Sequence, residues 1–207
     1  EAIKAARSSV LMLKHLHYEH KKLNDDLSNQ IFTRYLKDLD SSRSYFLASD
    51  IKEFEVYRYL LDDDLSKGDL GHAFLIYSRF QQRGTERLTY VLRELAKGIE
   101  HLDFTKNSSL ETKREDAPWA KSSDELDDLW HKRLMSTVLS LKLSGKDNAA
   151  ISKMLTKRYQ TQLNNMSRNK ADDVFQLFMN SFAETYDPHT EYFSPRTSEN
   201  FNINMSL

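Results

Sequence analysis

The sequence predicts an all-α protein, a bundle of about seven helices followed by a C-terminal extended segment. Two observations lead to this fold class. Five Gly and three Pro in 207 residues are too few turn-forming residues for a many-stranded protein. Apolar residues also recur at spacings of three and four along most of the chain, as in helices that bury one face.

The first four helices follow from this periodicity. We expect three of them at about 2–16, 25–39 and 50–65. The fourth and longest runs from Asp69 to Ile99, and Gly84 marks a point where it could bend.

Three further helices complete the prediction. The fifth begins at Ser122-x-x-Glu125, a capping-box pattern that satisfies free backbone N–H groups, and Gly145 ends it. Two more apolar stripes follow, from Ile151 to Leu163 and from Val174 to Tyr186.

Two stretches interrupt the helical pattern. Residues 103–121 predict a long connection, because the segment contains Asn107-Ser-Ser109 and Ala117-Pro118. Asp187-Pro188 should end the last helix, and Phe201-Asn-Ile-Asn-Met-Ser-Leu207 alternates with the period of a half-buried strand. Nothing upstream predicts a partner sheet, so we expect that sheet in a missing continuation of the chain.

Composition limits the partners and cofactors. Lys and Arg number 30 against 31 Asp and Glu, so no overall field attracts nucleic acid or an anionic membrane. The absence of Cys excludes disulfides, thiolate nucleophiles and Cys-based zinc sites. No apolar run reaches the roughly 18 residues that direct membrane insertion requires. The first residue is Glu1, so we expect a trimmed or processed N-terminus.

Three histidines, His15, His17 and His20, form the pattern H-x-H-x-x-H. Residues two apart on a helix point about 200° away from each other, so His15 and His17 do not easily share one metal ion. We interpret these residues as exposed histidines near a helix end, and assign no metal ligand and no cofactor.

Serine precedes lysine by three residues twice, at Ser49-x-x-Lys52 and at Ser167-x-x-Lys170. This spacing occurs in Ser-Lys acyl enzymes. Ser49-Asp50 stands before an apolar-periodic segment, however, with Glu53 three residues after Asp50, which favours a helix N-terminus over catalysis.

Asp187-Pro-His189-Thr190-Glu191 brings an acid, a base and a hydroxyl together in five residues. No oxyanion-hole glycines accompany them, so a hydrogen-bonded turn is the favoured interpretation. The chain contains no G-x-S-x-G, Walker loop, G-x-G-x-x-G or H-E-x-x-H pattern. We therefore assign no catalytic residue. An independent hydrolase that uses His189 with Ser194 or Asp187 remains an alternative.

Several long strings in this chain contain polar positions that packing alone does not require, such as Asn200, Asn202 and Asn204. The strings are Asp173-V-F-Q-L-F-Met179-N-S-F, Asp187-P-H-T-E-Y-F-S-P-Arg196, Glu199-N-F-N-I-N-M-S-Leu207, Ile31-F-T-R-Y-L-Lys37, Tyr45-F-L-A-S-D-I-K-E-Phe54, Gly68-D-L, Ala117-P-W-A-Lys121 and Glu125-L-D-D-L-W-H-K-Arg133. In this order they resemble the N-terminal region of the tail-specific (carboxyl-terminal processing, Prc or Tsp) protease family, and the resemblance covers nearly the whole chain.

The resemblance implies a non-catalytic helical domain, residues 1–186, of a periplasmic serine protease from which a signal peptide has been removed. Residues 187–207 would then lead into an absent PDZ domain and a protease domain with a Ser-Lys dyad. Such enzymes act on protein substrates with apolar C-termini.

The resemblance also implies that the helical region helps to shape the substrate path and, as in relatives from enteric bacteria, contributes to docking a tetratricopeptide-repeat lipoprotein adaptor. The sequence does not identify the substrate-binding residues, but exposed tyrosines such as Tyr57 or Tyr59 are candidates for partner contact. A free-standing helical adaptor that belongs to no enzyme is the main alternative.

Overall fold

The computed structural model describes residues 23–105, 109–111, 113–169 and 171–186, and within these ranges the protein is helical. It contains no β-sheet there, only an isolated bridge between Leu47 and Ala120. The predicted all-α class is confirmed. The seven α-helices of the described part are α1 Asp25–Leu39, α2 Ala48–Phe54, α3 Leu61–Lys67, α4 Gly71–Ala96, α5 Ser123–Leu143, α6 Asn148–Arg168 and α7 Ala171–Tyr186, with 3-10 helices at Glu55–Tyr57 and Ile99–His101.

The single helix expected at 50–65 is wrong, because the structure has α2, a 3-10 turn and α3 in its place. The hydroxyl of Ser28 on α1 explains the break. It donates a hydrogen bond to the carbonyl of Arg58 (2.8 Å) and accepts one from the N–H of Leu61 (2.9 Å). These two backbone groups therefore bond to a side chain instead of to the helix ladder.

Other predicted boundaries agree with the structure. Ser122 accepts the N–H of Glu125 (3.3 Å), while the carboxylate of Glu125 accepts the N–H of Lys121 (2.8 Å), so α5 begins as the capping pattern predicts. Gly145 follows α5 with φ of 88°. The predicted helix at about 2–16 and the predicted strand from Phe201 to Leu207 lie outside the described residues.

The described residues belong to two compact units, and α4 contributes to both. Among the described residues, the first unit comprises 23–39, 51–79, 169 and 171–186, and the second comprises 40–50, 80–105, 109–111 and 113–168. The division between residues 186 and 187 that the sequence suggests stays a prediction.

The first unit is built around α1, which packs against α3 and α7. Tyr35 is fully buried, meets the ring of Phe178 edge-on at 5.2 Å and donates its hydroxyl to the carbonyl of Ala73 (3.0 Å). The hydroxyl of Ser181 on α7 donates to Asp38 on α1 (2.6 Å). Burial combined with these polar contacts fixes how the helices of this unit pack.

The second unit contains an aromatic core between the loop before α2 and the long helices α4 and α5. Tyr45 packs against Phe80 at 5.2 Å and against Trp130 at 5.3 Å, and the Trp130 indole donates to the carbonyl of Ser44 (2.8 Å). The buried Asp40 carboxylate accepts the N–H groups of Ser44, Tyr45 and Phe46 at 2.8–3.0 Å, which closes this loop. Helices α5 and α6 pack together as a hairpin.

Candidate docking surface

The turn between α2 and α3 presents large apolar side chains to solvent. Val56, Tyr59 and Leu60 are 67%, 54% and 37% exposed, although apolar side chains of this size are usually buried. We call residues 56–60 the aromatic turn. Of the two tyrosines that the sequence suggests as partner contacts, Tyr59 is the exposed one.

Tyr57, the other candidate, is half-buried and held by a neighbour. Its ring stacks on the imidazole of His72 on α4, with centroids 4.6 Å apart and an interplanar angle of 27°. His72 in turn lies 2.6 Å through Nδ1 from the Asp64 carboxylate. Burial raises the pKa of Asp64, and the hydrogen bond with His72 opposes that rise.

Arg58 anchors the aromatic turn to α1. Its guanidinium makes two 2.7 Å bonds to both Glu55 oxygens, donates to Asn29 (2.6 Å) and lies 4.4 Å from the ring centre of Phe32. Hydrogen bonding by Arg58 holds the pKa of Glu55 below its usual range. Together with the Ser28 bridge, these contacts place Val56 and Tyr59 on a fixed backbone.

The surface also includes part of α4. Leu75 is 54% exposed and lies one helical turn beyond His72, on the same side of α4. The aromatic turn, the Tyr57–His72 stack and Leu75 thus supply exposed apolar groups on a rigid frame within the first unit. Such an arrangement suits recognition of another protein, because tyrosine is a frequent interface anchor and exposed apolar patches mark interaction sites.

Sequence reasoning missed Val56, Leu60 and Leu75 as surface residues. Val56 and Leu60 flank the break between α2 and α3, which the predicted continuous helix at 50–65 does not contain, whereas Leu75 lies on α4 outside that segment. A contact between residues thirty positions apart leaves no local signal in the sequence, so periodicity alone could not reveal it.

The Ser49-x-x-Lys52 pair is not built as a catalytic dyad. Both side chains are exposed, whereas a lysine base acts from a buried, water-poor environment. Asp50 accepts the N–H of Leu47 (2.9 Å) from the first turn of α2, which confirms a helix N-terminus at this position. Asp50 also accepts two bonds from Arg83, at 2.8 and 2.9 Å.

Ser167 of the second pair bonds back to the carbonyl of Leu163 (2.9 Å) within α6. Its partner Lys170 lies outside the described residues, as do His15, His17, His20, Asp187, His189, Thr190, Glu191 and Ser194. Within the described ranges no cluster of three or more His, Asp or Glu side chains could hold a metal ion. In the same ranges no helix is long and apolar enough to cross a membrane.

Comparison with known proteins supports the resemblance seen in the strings. A family model described as tail specific protease N-terminal domain matches residues 9–196. A relative from Haemophilus influenzae (strain ATCC 51907 / DSM 11121 / KW20 / Rd), named tail-specific protease, is 40% identical over 206 residues, which cover 98% of this chain and 29% of the relative. The chain thus spans less than a third of that relative's length. On these matches the chain belongs to the tail-specific protease N-terminal domain family.

Proposed function

We propose that this chain is the non-catalytic helical N-terminal domain of a periplasmic serine protease that degrades or processes proteins from their C-terminal tails. The observation that carries the proposal is the match to the Haemophilus influenzae tail-specific protease, which covers 98% of this chain but 29% of the relative. Most of that relative lies outside the match and has room for substrate-binding and catalytic domains.

The proposed chemistry is acyl transfer by a serine that a neutral lysine activates. That dyad would belong to the part of the enzyme beyond this chain. The exposed positions of Ser49 and Lys52 are consistent with this division of labour, since neither side chain has the burial that a dyad requires.

The proposed role of the helical domain is to dock an adaptor or a protein substrate and to help shape the substrate path. Support comes from the aromatic turn, where Val56 and Tyr59 are exposed yet fixed by the bonds of Ser28 and Arg58. A rigid tyrosine loses little conformational freedom on binding, so it anchors an interface efficiently.

The first experiment tests the division between helical domain and protease. An unfolded protein with an apolar C-terminal tail is incubated with this chain and with a longer protein that includes the following domains. We expect that only the longer protein cleaves the substrate. Replacing its dyad serine by Ala should abolish cleavage, and a substrate whose tail ends in Asp and Lys should not be cleaved. Cleavage by this chain itself would reopen the search for an active site.

The second experiment tests docking. Binding of a purified tetratricopeptide-repeat lipoprotein from the same cell envelope is measured by calorimetry, with Tyr59→Ala as the variant. We expect a loss of about 2 kcal/mol, roughly thirtyfold in Kd, since a buried tyrosine anchor contributes on this scale. Lys121→Ala, an exposed residue of the second unit, is the control. Equal effects of the two variants would contradict docking at the aromatic turn.

A further inference from the structure

Positive charge is concentrated in one helical hairpin of a nearly neutral chain. Residues 129–168 contain eight Lys and Arg and a single carboxylate, Asp147, a net charge of +7. The rest of the chain has 22 Lys and Arg against 30 Asp and Glu. We call residues 129–168 the cationic hairpin. It consists of α5 without its first six residues, which carry the carboxylates Asp124, Glu125, Asp127 and Asp128, together with all of α6 and the turn between the helices. It lies within the second unit.

The outer face of α6 has no acidic residue. Lys153, Lys157 and Arg168 share one side of the helix at its 3.6-residue period and are exposed. The residues between them on this side are Gln160, Thr161 and Asn164. The buried side chains of α6, Ile151, Leu155 and Tyr159, point to the opposite side.

Most of these cations are not neutralised within the described part of the molecule. Lys132 pairs with Asp128 (2.7 Å), and burial lowers the pKa of Arg133. Lys146, Lys153, Lys157 and Arg168, by contrast, make no ion pair with a described carboxylate. Their charge is therefore available to a partner, since neighbouring acids in a helix normally cancel it.

The hairpin also exposes two leucines. Leu139 and Leu143 are 44% and 81% exposed and stand four residues apart on α5, so they lie side by side on its surface. Lys142 lies between them in sequence, with its ammonium 5.0 Å from the ring centre of Phe104, and Lys146 follows one turn later. The two exposed leucines thus lie close to two lysines at the C-terminal end of α5.

We propose that the cationic hairpin binds an acidic amphipathic segment of a protein partner, whose apolar side chains cover Leu139 and Leu143 while its carboxylates meet Lys146, Lys153 and Lys157. Charge complementarity and the leucine pair support this occupant together, because an acidic helix with apolar residues four apart offers both chemistries. The proposal rests on the proposed docking role of the domain and adds the surface and the chemistry of the partner.

Two other polyanions fit the surface less well. Single-stranded nucleic acid is held by aromatic side chains on which bases stack, and the exposed large side chains of the hairpin are leucines, whereas Tyr159 is buried. A helix lying on an anionic bilayer inserts a continuous apolar face, and the outer face of α6 carries only polar and cationic groups.

The test uses this chain and a fluorescein-labelled synthetic 18-residue helix with Leu four residues apart and Glu on the flanking positions, followed by anisotropy. We expect a Kd in the micromolar range. Two double variants, Leu139→Ser with Leu143→Ser and Lys153→Glu with Lys157→Glu, should each weaken binding about tenfold. Lys52→Glu with Lys121→Glu reverses two exposed cations outside the hairpin and should change Kd less than twofold.

Four results would overturn the proposal. The first is that a peptide of the same composition in scrambled order binds as tightly as the designed peptide, and the second is that the Lys52 and Lys121 double variant loses as much affinity as the hairpin variants. The third and fourth are that phosphatidylglycerol vesicles, or a poly-dT oligonucleotide, bind more tightly than the designed peptide. Because the assay needs no protease activity, its failure is distinct from a failure of the cleavage experiment on the longer protein.

Discussion

The two compact units handle charge in opposite ways. At the aromatic turn of the first unit, Arg58 satisfies Glu55 through two short bonds, and the exposed groups that remain are apolar. In the cationic hairpin of the second unit, Lys153 and Lys157 stay exposed without a described acidic partner. This difference matches the two proposed kinds of recognition, one driven by apolar contact on a rigid turn and one steered by charge.

The second unit nevertheless has buried carboxylates, and removing the arginine that pairs with one of them should give the largest effect on stability. Asp50 is buried and bound by Arg83 through two bonds. Arg83→Met would remove both of these charge-assisted bonds from a buried carboxylate, so we expect a loss of about 3–5 kcal/mol in the free energy of unfolding. The measurement is urea unfolding followed by circular dichroism.

Arg79→Met is the matched control, one helical turn earlier on α4. Arg79 bonds to Glu53 (2.9 Å), whose side chain is 60% exposed, so this pair is screened by solvent and should contribute less than about 1 kcal/mol. Similar losses for the two variants would mean that burial of Asp50 is not what makes its ion pair important.

The next largest effect should follow from Ser28→Ala in the first unit. The substitution removes the hydroxyl that satisfies the Arg58 carbonyl and the Leu61 N–H, which leaves two backbone groups without their partner. A cost of about 2 kcal/mol is expected. Ser66→Ala on the exposed side of α3 should be nearly neutral. Unchanged stability of Ser28→Ala would show that α2 and α3 are separated by some other cause.

Binding at the two surfaces should depend differently on salt concentration. Raising NaCl from 50 to 300 mM should weaken peptide binding by the cationic hairpin about tenfold, because the Debye length falls from about 14 Å to about 6 Å and exposed charges attract each other less. Docking at the aromatic turn should change less than threefold, since its only charges are paired. The same titration with Lys153→Glu and Lys157→Glu should lose the salt dependence. A steep salt effect at the aromatic turn would remove the contrast between the units.

Part of this structure could be predicted from the sequence for physical reasons. The predicted helix at 25–39 matches α1, and the pattern at Ser122 predicts the start of α5, because periodicity and capping are local properties. The break between α2 and α3 is not local, since it depends on Ser28. The positive charge of residues 129–168 can be counted from the sequence, but the net charge of −1 for the whole chain does not reveal it.

The smallest expected effect is a difference in pH dependence between two acids beside the aromatic turn, Glu55 just before it and Asp64 on α3. Hydrogen bonding to Arg58 lowers the pKa of Glu55 from 4.5, so the folded state binds fewer protons there than the unfolded chain. Stability from this group is present above pH 4.5 and is lost as the pH falls through the lowered pKa. Glu55→Gln should therefore reduce the rise of unfolding free energy with pH in this window.

Asp64 should act with the opposite sign. Burial raises its pKa from 3.8, so the folded state retains a proton that the unfolded chain releases, and stability falls as the pH rises from 3.8 through the raised pKa. Asp64→Asn keeps a polar partner for His72 and should remove this fall. The measurement is the free energy of unfolding of both variants at intervals between pH 3 and pH 6, compared with that of the unchanged protein. Slopes that change in the same direction would mean that burial does not outweigh the His72 bond at Asp64.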